Sequence, residues 1–447
     1  MDEEDGWTHW SPPHRPAASA PAPAGPDLEG VTVTMAAGAS VEPVTLDDAA
    51  EYIHDTAFAE SEIGAVGLEI ETHLVDLKAP GHRAPWTVLA PALERGHSRL
   101  RRSVITVEPG GQVELSGVPE PDVRAAIKAL RHDEQRLRLI LAEADLGLAH
   151  LGADPVREPH RVNPRPRYRA MERHFLGTGL AGAGSTMMCA TAALQVNLQA
   201  GPRGGWADRF DLACRLGPTL VSIAACSRWL AGRDTGWASA RQRAWGGLDP
   251  RTSGPVPRSG DPASDWVRYA LAAPVLFVST GDEDVVAIAR AVPFSAWASG
   301  RVRLADRLPT RQDLATHLTT LFPPVRPRGY LELRYLDVSA PRWWPAVAAV
   351  TATLLDDPVA ADLAAEATEP TAGRWHDAAR LGLRDPALAA SARRCLEIAG
   401  QRVAPELRFA VADLADLVAS GRSPGDVAAE RIAEVGALAH LEEVAHA

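Results

Sequence analysis

Four short stretches of this chain place charged or carboxamide side chains at every second position between aliphatic ones. In GLEIETHL (67–74), Glu69, Glu71 and His73 alternate with Leu68, Ile70 and Leu74. Side chains two apart on an extended chain point to the same side, so the polar three share one face and the apolar three the other. The same pattern puts Gln112, Glu114 and Ser116 together in GQVELS (111–116), and Gln195, Asn197 and Gln199 together in LQVNLQ (194–199). In YLELRY (330–335) the polar face is Glu332 and Arg334.

The plainest account is an antiparallel sheet with one face in water. Such a face usually carries Lys, Thr, Ser and mixed charge. These four stretches hold no lysine and consist mostly of carboxylates, carboxamides and one arginine. Hard cations and phosphates select that inventory. Magnesium prefers oxygen ligands and shares its octahedron between a few carboxylates and substrate phosphates. Several carboxylates on one face would repel one another and bind protons unless a cation neutralised them. Arg334 suits a two-pronged contact with a phosphoryl group.

Other chemistries lack their residues. The chain has no GxxxxGK[ST], and Gly177, Gly179, Gly182 and Gly184 do not form a GxGxxG after a strand. HExxH and GxSxG are also missing. His97, His150, His160 and His174 are scattered and are expected to be structural or superficial.

These faces require strands at 66–76, 191–199 and 329–338 and a hairpin over 104–116. Helical spacing of apolar residues runs through 122–146, 206–231 and 343–355. Thr45-Leu46-Asp47-Asp48 is a helix start with acid in its first turn. Residues 1–28 are Pro- and Ala-rich without apolar periodicity, a disordered tail carrying Trp7 and Trp10, and the ordered chain is expected from near Val41. The last ninety residues alternate Ala/Leu-rich helical runs with Pro and Gly breaks. At 447 residues and 46% hydrophobic, the chain can bury one large core or two or three smaller ones. A formal net charge of −11 argues against a nucleic-acid partner. No stretch of eighteen apolar residues or basic-then-apolar leader is present, so neither a membrane span nor a secretory signal is expected. Cys189, Cys214, Cys226 and Cys395 lie far apart and suit reduced thiols in the cytoplasm.

GLEIETHLV (67–75), VEPGGQVELSG (107–117), MMCATAALQVNLQ (187–199), GRDTGWASARQRAW (232–245) and HLTTLFPPVRPRGYLELRYLD (317–337) together resemble the glutamate–cysteine ligases of the plant and bacterial type. The likeness is strongest to the actinobacterial branch that opens ergothioneine biosynthesis. It covers roughly residues 45–360, and EPGGQ-x-ELSG with YLE-x-R carries most of its specificity.

The resemblance implies an α+β fold of glutamine-synthetase-like kind, whose curved antiparallel sheet forms a funnel holding magnesium, ATP phosphates and glutamate. A catalytic domain is expected over 41–360, with a C-terminal helical region, 361–447, packed on it. It implies Glu69, Glu71, Glu108, Glu114 and Glu332 as metal ligands. Gln195 and Asn197 stand near phosphate or metal, and Arg334 steadies the transferring phosphoryl. Arg241, with Ser239, is the expected clamp for the glutamate α-carboxylate. Arg165, Arg167, Tyr168 and Met171 begin a substrate segment continued by Gly182, Gly184, Met187 and Met188. LAAPVLFVST (271–280) departs from the plant pattern, keeping only Phe277 where more aromatic residues belong, which touches the cysteine pocket more than the metal face. The implied reaction is ATP- and magnesium-dependent ligation of glutamate to cysteine through an acyl phosphate. A ligase of the same fold with another amine acceptor and a non-catalytic nucleotide- or metal-binding regulator are the alternatives. A metal-dependent hydrolase is disfavoured by the lack of a histidine-rich site.

Overall fold

The computed structural model describes residues 42–447 except 98, 282 and 283. The expectations for the tail 1–28, Trp7, Trp10 and the start at Val41 lie outside the described residues.

The strands are β1 (Val66–Asp76), β2 (Ser103–Val107), β3 (Val113–Gly117), β4 (Leu146–Ala149), β5 (Ala193–Gln199), β6 (Trp229–Leu230), β7 (Arg233–Asp234), β8 (Phe277–Ser279), β9 (Val285–Ala287), β10 (Val325–Pro327) and β11 (Tyr330–Asp337). Seven form one sheet in the order β10-β11-β5-β1-β3-β2, with β4 also on β1, and every pairing is antiparallel. The α+β expectation holds. The four polar-apolar stretches are thus neighbouring strands, and their register aligns the polar faces. Glu71 stands opposite Glu114, Glu69 opposite both Ser116 and Gln195, and Asn197 opposite Glu332.

The apolar face of the sheet packs on the helices Val123–Ala142, Trp206–Ala224 and Trp344–Asp356. Leu68, Ile70, Leu115, Leu194, Val196 and Leu333 are buried there in the main core. At roughly 1.5–3 kcal/mol for a fully buried aliphatic side chain, this layer is the main force fixing register. A one-residue slip would turn the carboxylates into it.

Thr45 caps the helix Leu46–Ala57 in a capping box with Asp48. Two expected helices end early. The one expected to reach 146 stops at Ala142, where Asp145 takes a φ of 55° and turns the chain into β4. The one expected to reach 231 stops at Ala224, and the rest becomes the β6–β7 hairpin.

Beyond Asp356 the chain is helical. The helices Pro358–Thr368, Trp375–Leu381 and Pro386–Arg402 pack on Trp206–Ala224. The last helix, Ala437–His446, docks on β4, where a Cβ at Gly147 would come within 2.4 Å of the Ala445 carbonyl oxygen. Among the described residues no helix is long and apolar enough to cross a membrane.

Candidate active site

The polar face of the sheet is not wet. Glu114 and Glu332 have no exposed surface, and Glu69, Glu71, Glu108, Gln195 and Arg334 are also buried. This removes the solvated-face account. Burying so many ionisable groups is costly unless they are paired or await a charged ligand.

Hydrogen bonds link the face across its strands. Asn197 Nδ2 donates to Glu69 Oε1 at 2.9 Å, and Gln195 Nε2 to Glu71 Oε1 at 3.3 Å. Glu71 Oε2 also accepts the Ala193 backbone N–H at 2.8 Å. Arg334 Nη1 donates to Gln195 Oε1 at 2.5 Å, and Thr106 donates to Glu114. Asn197 has room because Gly67 lies opposite it, where a Cβ would meet Asn197 Cβ at 3.3 Å.

Glu108 reaches the face from the β2–β3 turn. Gly110 lies against the Cys189 backbone so closely that a Cβ would stand 2.3 Å from its carbonyl oxygen. Arg83 holds the Gly110 carbonyl at 3.2 Å, and Gln112 Nε2 donates to the Thr191 carbonyl at 2.8 Å. EPGGQ is therefore a packed turn whose glycine is required by close approach.

Burial raises the pKa of Glu108 well above the carboxylate range, and the charges of Glu114 and Glu71 raise it further. Burial likewise raises Glu114, reinforced by Glu69 and Glu71. Glu71 is raised by burial, against the pull of Arg241 and Arg334. Glu69 Oε2, Glu108 Oε1 and Glu114 Oε1 are buried without a hydrogen-bond partner. Such oxygens suit a hard cation. Among the described residues no group of three or more His, Cys, Asp or Glu side chains forms a ready-made metal cage.

Glu332 is held differently. Arg326 bonds both its oxygens, one through Nη2 at 3.0 Å, while Arg328 and Arg334 each approach to 3.3 Å. Burial opposes its ionisation, but the three guanidiniums keep it well below the ordinary carboxylate range. Its surroundings are those of an anion organising arginines, unlike those of the other four carboxylates.

Arg241 is buried over the Trp245 ring, 4.2 Å from its centroid. Its Nη2 donates to the Arg334 carbonyl at 2.8 Å, its Nη1 stands 3.7 Å from Asp337 Oδ1 in a buried ion pair, and its Nε has no hydrogen-bond partner. Ser239 caps the helix Ala240–Trp245 and donates to Asp337 Oδ1 at 3.0 Å, so its hydroxyl is engaged. Tyr168, Met171, Met187 and Met188 meet Phe277 and Trp245 in a second apolar cluster. The Arg167 guanidinium stands 5.8 Å from the Tyr168 and Phe277 ring centroids. Arg165 is exposed at the start of the helix Pro166–Gly177, apart from this cluster. His73 lies beyond the carboxylates, where burial lowers its pKa to about 3.

Sequence reasoning missed Arg326, Arg328 and Asp337. The alternation in VRPR (325–328) was the available signal, hidden by its brevity and its proline. Asp337 carries no local pattern. It gathers the Cys226 N–H and the Ser227 and Ser239 hydroxyls from distant segments.

Several known proteins are similar to this chain. A glutamate–cysteine ligase EgtA of Mycobacterium tuberculosis is 49% identical over 414 residues, covering 92% of this chain and 96% of that protein. The EgtA of Mycolicibacterium smegmatis is 48% identical over 407 residues, covering 91% and 96%. A chloroplastic glutamate–cysteine ligase of Arabidopsis thaliana is 29% identical over 239 residues, 52% of this chain and 45% of that one. The crystal structure of a Francisella tularensis glutamate–cysteine ligase in complex with AMP superposes with a TM-score of 0.52 at 15% identity, covering 87% and 88%. The profile of glutamate-cysteine ligase family 2 (GCS2) matches residues 65–443, and the chain belongs to that family.

Proposed function

We propose that this enzyme joins the γ-carboxyl of L-glutamate to the amino group of L-cysteine using ATP, supplying γ-glutamylcysteine to ergothioneine biosynthesis. The observation that carries this is the continuous buried face from Arg334 through Gln195, Glu71 and Glu69 to Glu114, in a chain of this family.

A carboxylate is a poor acyl donor. A glutamate γ-carboxylate oxygen attacks the γ-phosphorus of ATP, ADP leaves, and an acyl phosphate forms. The cysteine amine then attacks the acyl carbon, phosphate leaves, and the nitrogen loses a proton. Arg334, oriented by Gln195 and Glu332, faces the phosphoryl in transit. Arg241 offers its unpartnered Nε, beside an Nη1 that it shares with Asp337, to the glutamate α-carboxylate. The cluster of Tyr168, Met171, Met187, Met188 and Phe277 walls the substrate side and excludes water. Glu69, Glu71, Glu108 and Glu114 would hold magnesium, which when bound neutralises phosphate charge. The four cysteines are buried free thiols, and we assign the enzyme to the cytoplasm.

ADP release measured with ATP, glutamate and each of a panel of amines tests this directly. Turnover should need glutamate and cysteine together. Equal turnover with any small amine would replace cysteine as acceptor and leave the ligase chemistry intact, and no glutamate-dependent ADP would reject both.

A further inference from the structure

Around Glu332 the charges do not balance. Arg326, Arg328 and Arg334 all reach this one carboxylate. Arg326 bonds both oxygens and spends another donor on the Leu321 carbonyl at 2.9 Å. It is fully committed to the fold, and one guanidinium neutralises one carboxylate. Arg334 lies deep in the face and is fixed by Gln195 at 2.5 Å. Arg328 has a different position. Its side chain is 27% exposed, against 2% for the other two. Its guanidinium makes one hydrogen bond, at 3.3 Å, to a Glu332 oxygen that Arg326 already holds.

A half-buried guanidinium with one shared contact has most of its fork to offer a ligand. Glu332 lies opposite Asn197, which bonds Glu69, so Arg328 stands at the rim beside the proposed magnesium carboxylates. One arginine deep in the face and one at its rim, beyond the one that Glu332 needs and beside carboxylates that would hold magnesium, match an extended polyanion carrying a divalent cation. A single carboxylate would neutralise only one of them.

We infer that Arg328 is a second phosphate-contacting residue, holding a part of the ATP phosphate chain that does not move during transfer. Arg334 meets the phosphoryl that does. This rests on the ATP-dependent ligase reading above and adds a division of labour between the two arginines. A contact present equally in ground and transition states lowers KM and leaves kcat alone, whereas a contact that strengthens during transfer raises kcat.

The test compares the full-length parental enzyme with Arg328→Gln and Arg328→Lys. Steady-state kinetics would be joined by calorimetric binding of a non-hydrolysable ATP analogue with magnesium and by thermal melting. Arg328→Gln should raise KM for ATP and Kd for the analogue about tenfold, the size of one charge-assisted contact. The kcat should stay within about threefold, and KM for glutamate within about twofold. Arg328→Lys should recover part of the loss, since charge remains without the fork. An unchanged analogue Kd in Arg328→Gln would overturn the inference. So would a rise in glutamate KM alone, which would assign Arg328 to a substrate carboxylate. A lower melting temperature with normal constants per folded enzyme would make it a structural partner of Glu332. If the parental enzyme forms no glutamate-dependent ADP, the ligase reading itself fails. Normal parental turnover with an unmoved ATP constant fails this inference alone.

Discussion

Arg241 donates through Nη2 to the main-chain carbonyl of Arg334 at 2.8 Å. The contact answers an irregularity in β11. Leu333 pairs with Val196 and Leu336 with Leu194, so Arg334 and Tyr335 both stand opposite Gln195. Such a bulge interrupts the ladder and leaves backbone groups needing other partners. Gln242 Nε2 takes the Tyr335 carbonyl at 2.8 Å, as Arg241 takes that of Arg334. The short helix Ala240–Trp245 thus caps the bulge that aims Arg334 onto the polar face.

Arg241 therefore has a structural hand, and its other edge carries an ion pair to Asp337 through Nη1 and an open Nε. Lysine cannot hold the Arg334 carbonyl and present a planar fork together. Arg241→Lys should raise KM for glutamate about tenfold or more and lower kcat several-fold, with KM for ATP moving less than about threefold. Kinetics with each substrate varied in turn would decide. A glutamate KM within twofold of parental would leave Arg241 as a strut for the bulge only.

Glu71→Gln and Glu69→Gln keep shape and strand pairing while removing an anionic oxygen. Turnover should fall by on the order of a hundredfold, with partial recovery at raised magnesium and a melting temperature near the parental one. Magnesium titration of activity is the measurement. Both variants working normally would mean that these carboxylates hold no cation.

Alternation exposed the polar face in the sequence because a strand's period of two survives in short segments. The same alternation could not show that the polar face is buried. Burial depends on contacts such as EPGGQ folding onto Cys189 and Thr191, between segments about eighty residues apart. The carboxylates also looked alike in sequence. Only three-dimensional proximity separates Glu332, ringed by Arg326, Arg328 and Arg334, from Glu108 and Glu114, which face mainly other acids. The β11 bulge was invisible for a related reason. YLELRYLD alternates smoothly to Arg334, and the extra residue shows only against Gln195.

Glu134 gives the fold an acid-sensitive joint. It lies on the helix Val123–Ala142, 2.8 Å from Arg138 Nε and 3.3 Å from His150 Nε2. Burial raises its pKa, but His150 and Arg138 outweigh that and bring it down to about 2 from an ordinary 4.5. A depressed carboxyl stabilises the native state above its unfolded pKa, and the contribution is lost as pH falls from there toward the folded value. At about 1.4 kcal/mol per pH unit, the depression is worth on the order of 3 kcal/mol. Urea unfolding at pH 6.5 should show Glu134→Gln less stable than the parent, and the gap should narrow as pH falls to about 3. A constant gap across that window would mean that the carboxylate's charge contributes nothing.

Arg334→Lys separates a catalytic face from one that only binds metal and nucleotide. Arg334 is buried, fixed by Gln195 at 2.5 Å and set 3.3 Å from Glu332. Its guanidinium can give two parallel hydrogen bonds to the moving phosphoryl, whereas lysine supplies charge without that geometry. The lysine variant should lose about a hundredfold in kcat, the usual cost of one preorganised transition-state donor. Binding of the ATP analogue should weaken by only a few fold, because this contact strengthens as charge moves to the equatorial oxygens. A purely structural role makes a different forecast. Arg334 would then serve to balance Glu332 alongside Arg326, and replacing it would lower thermal stability while folded enzyme kept its rate. Melting temperature and single-turnover acyl-phosphate formation, measured on one preparation, separate the two. A destabilised variant that transfers phosphate at the parental rate would end the catalytic assignment. A stable variant with slow transfer and near-normal nucleotide binding would complete the contrast with Arg328, whose loss should weaken binding and spare the rate.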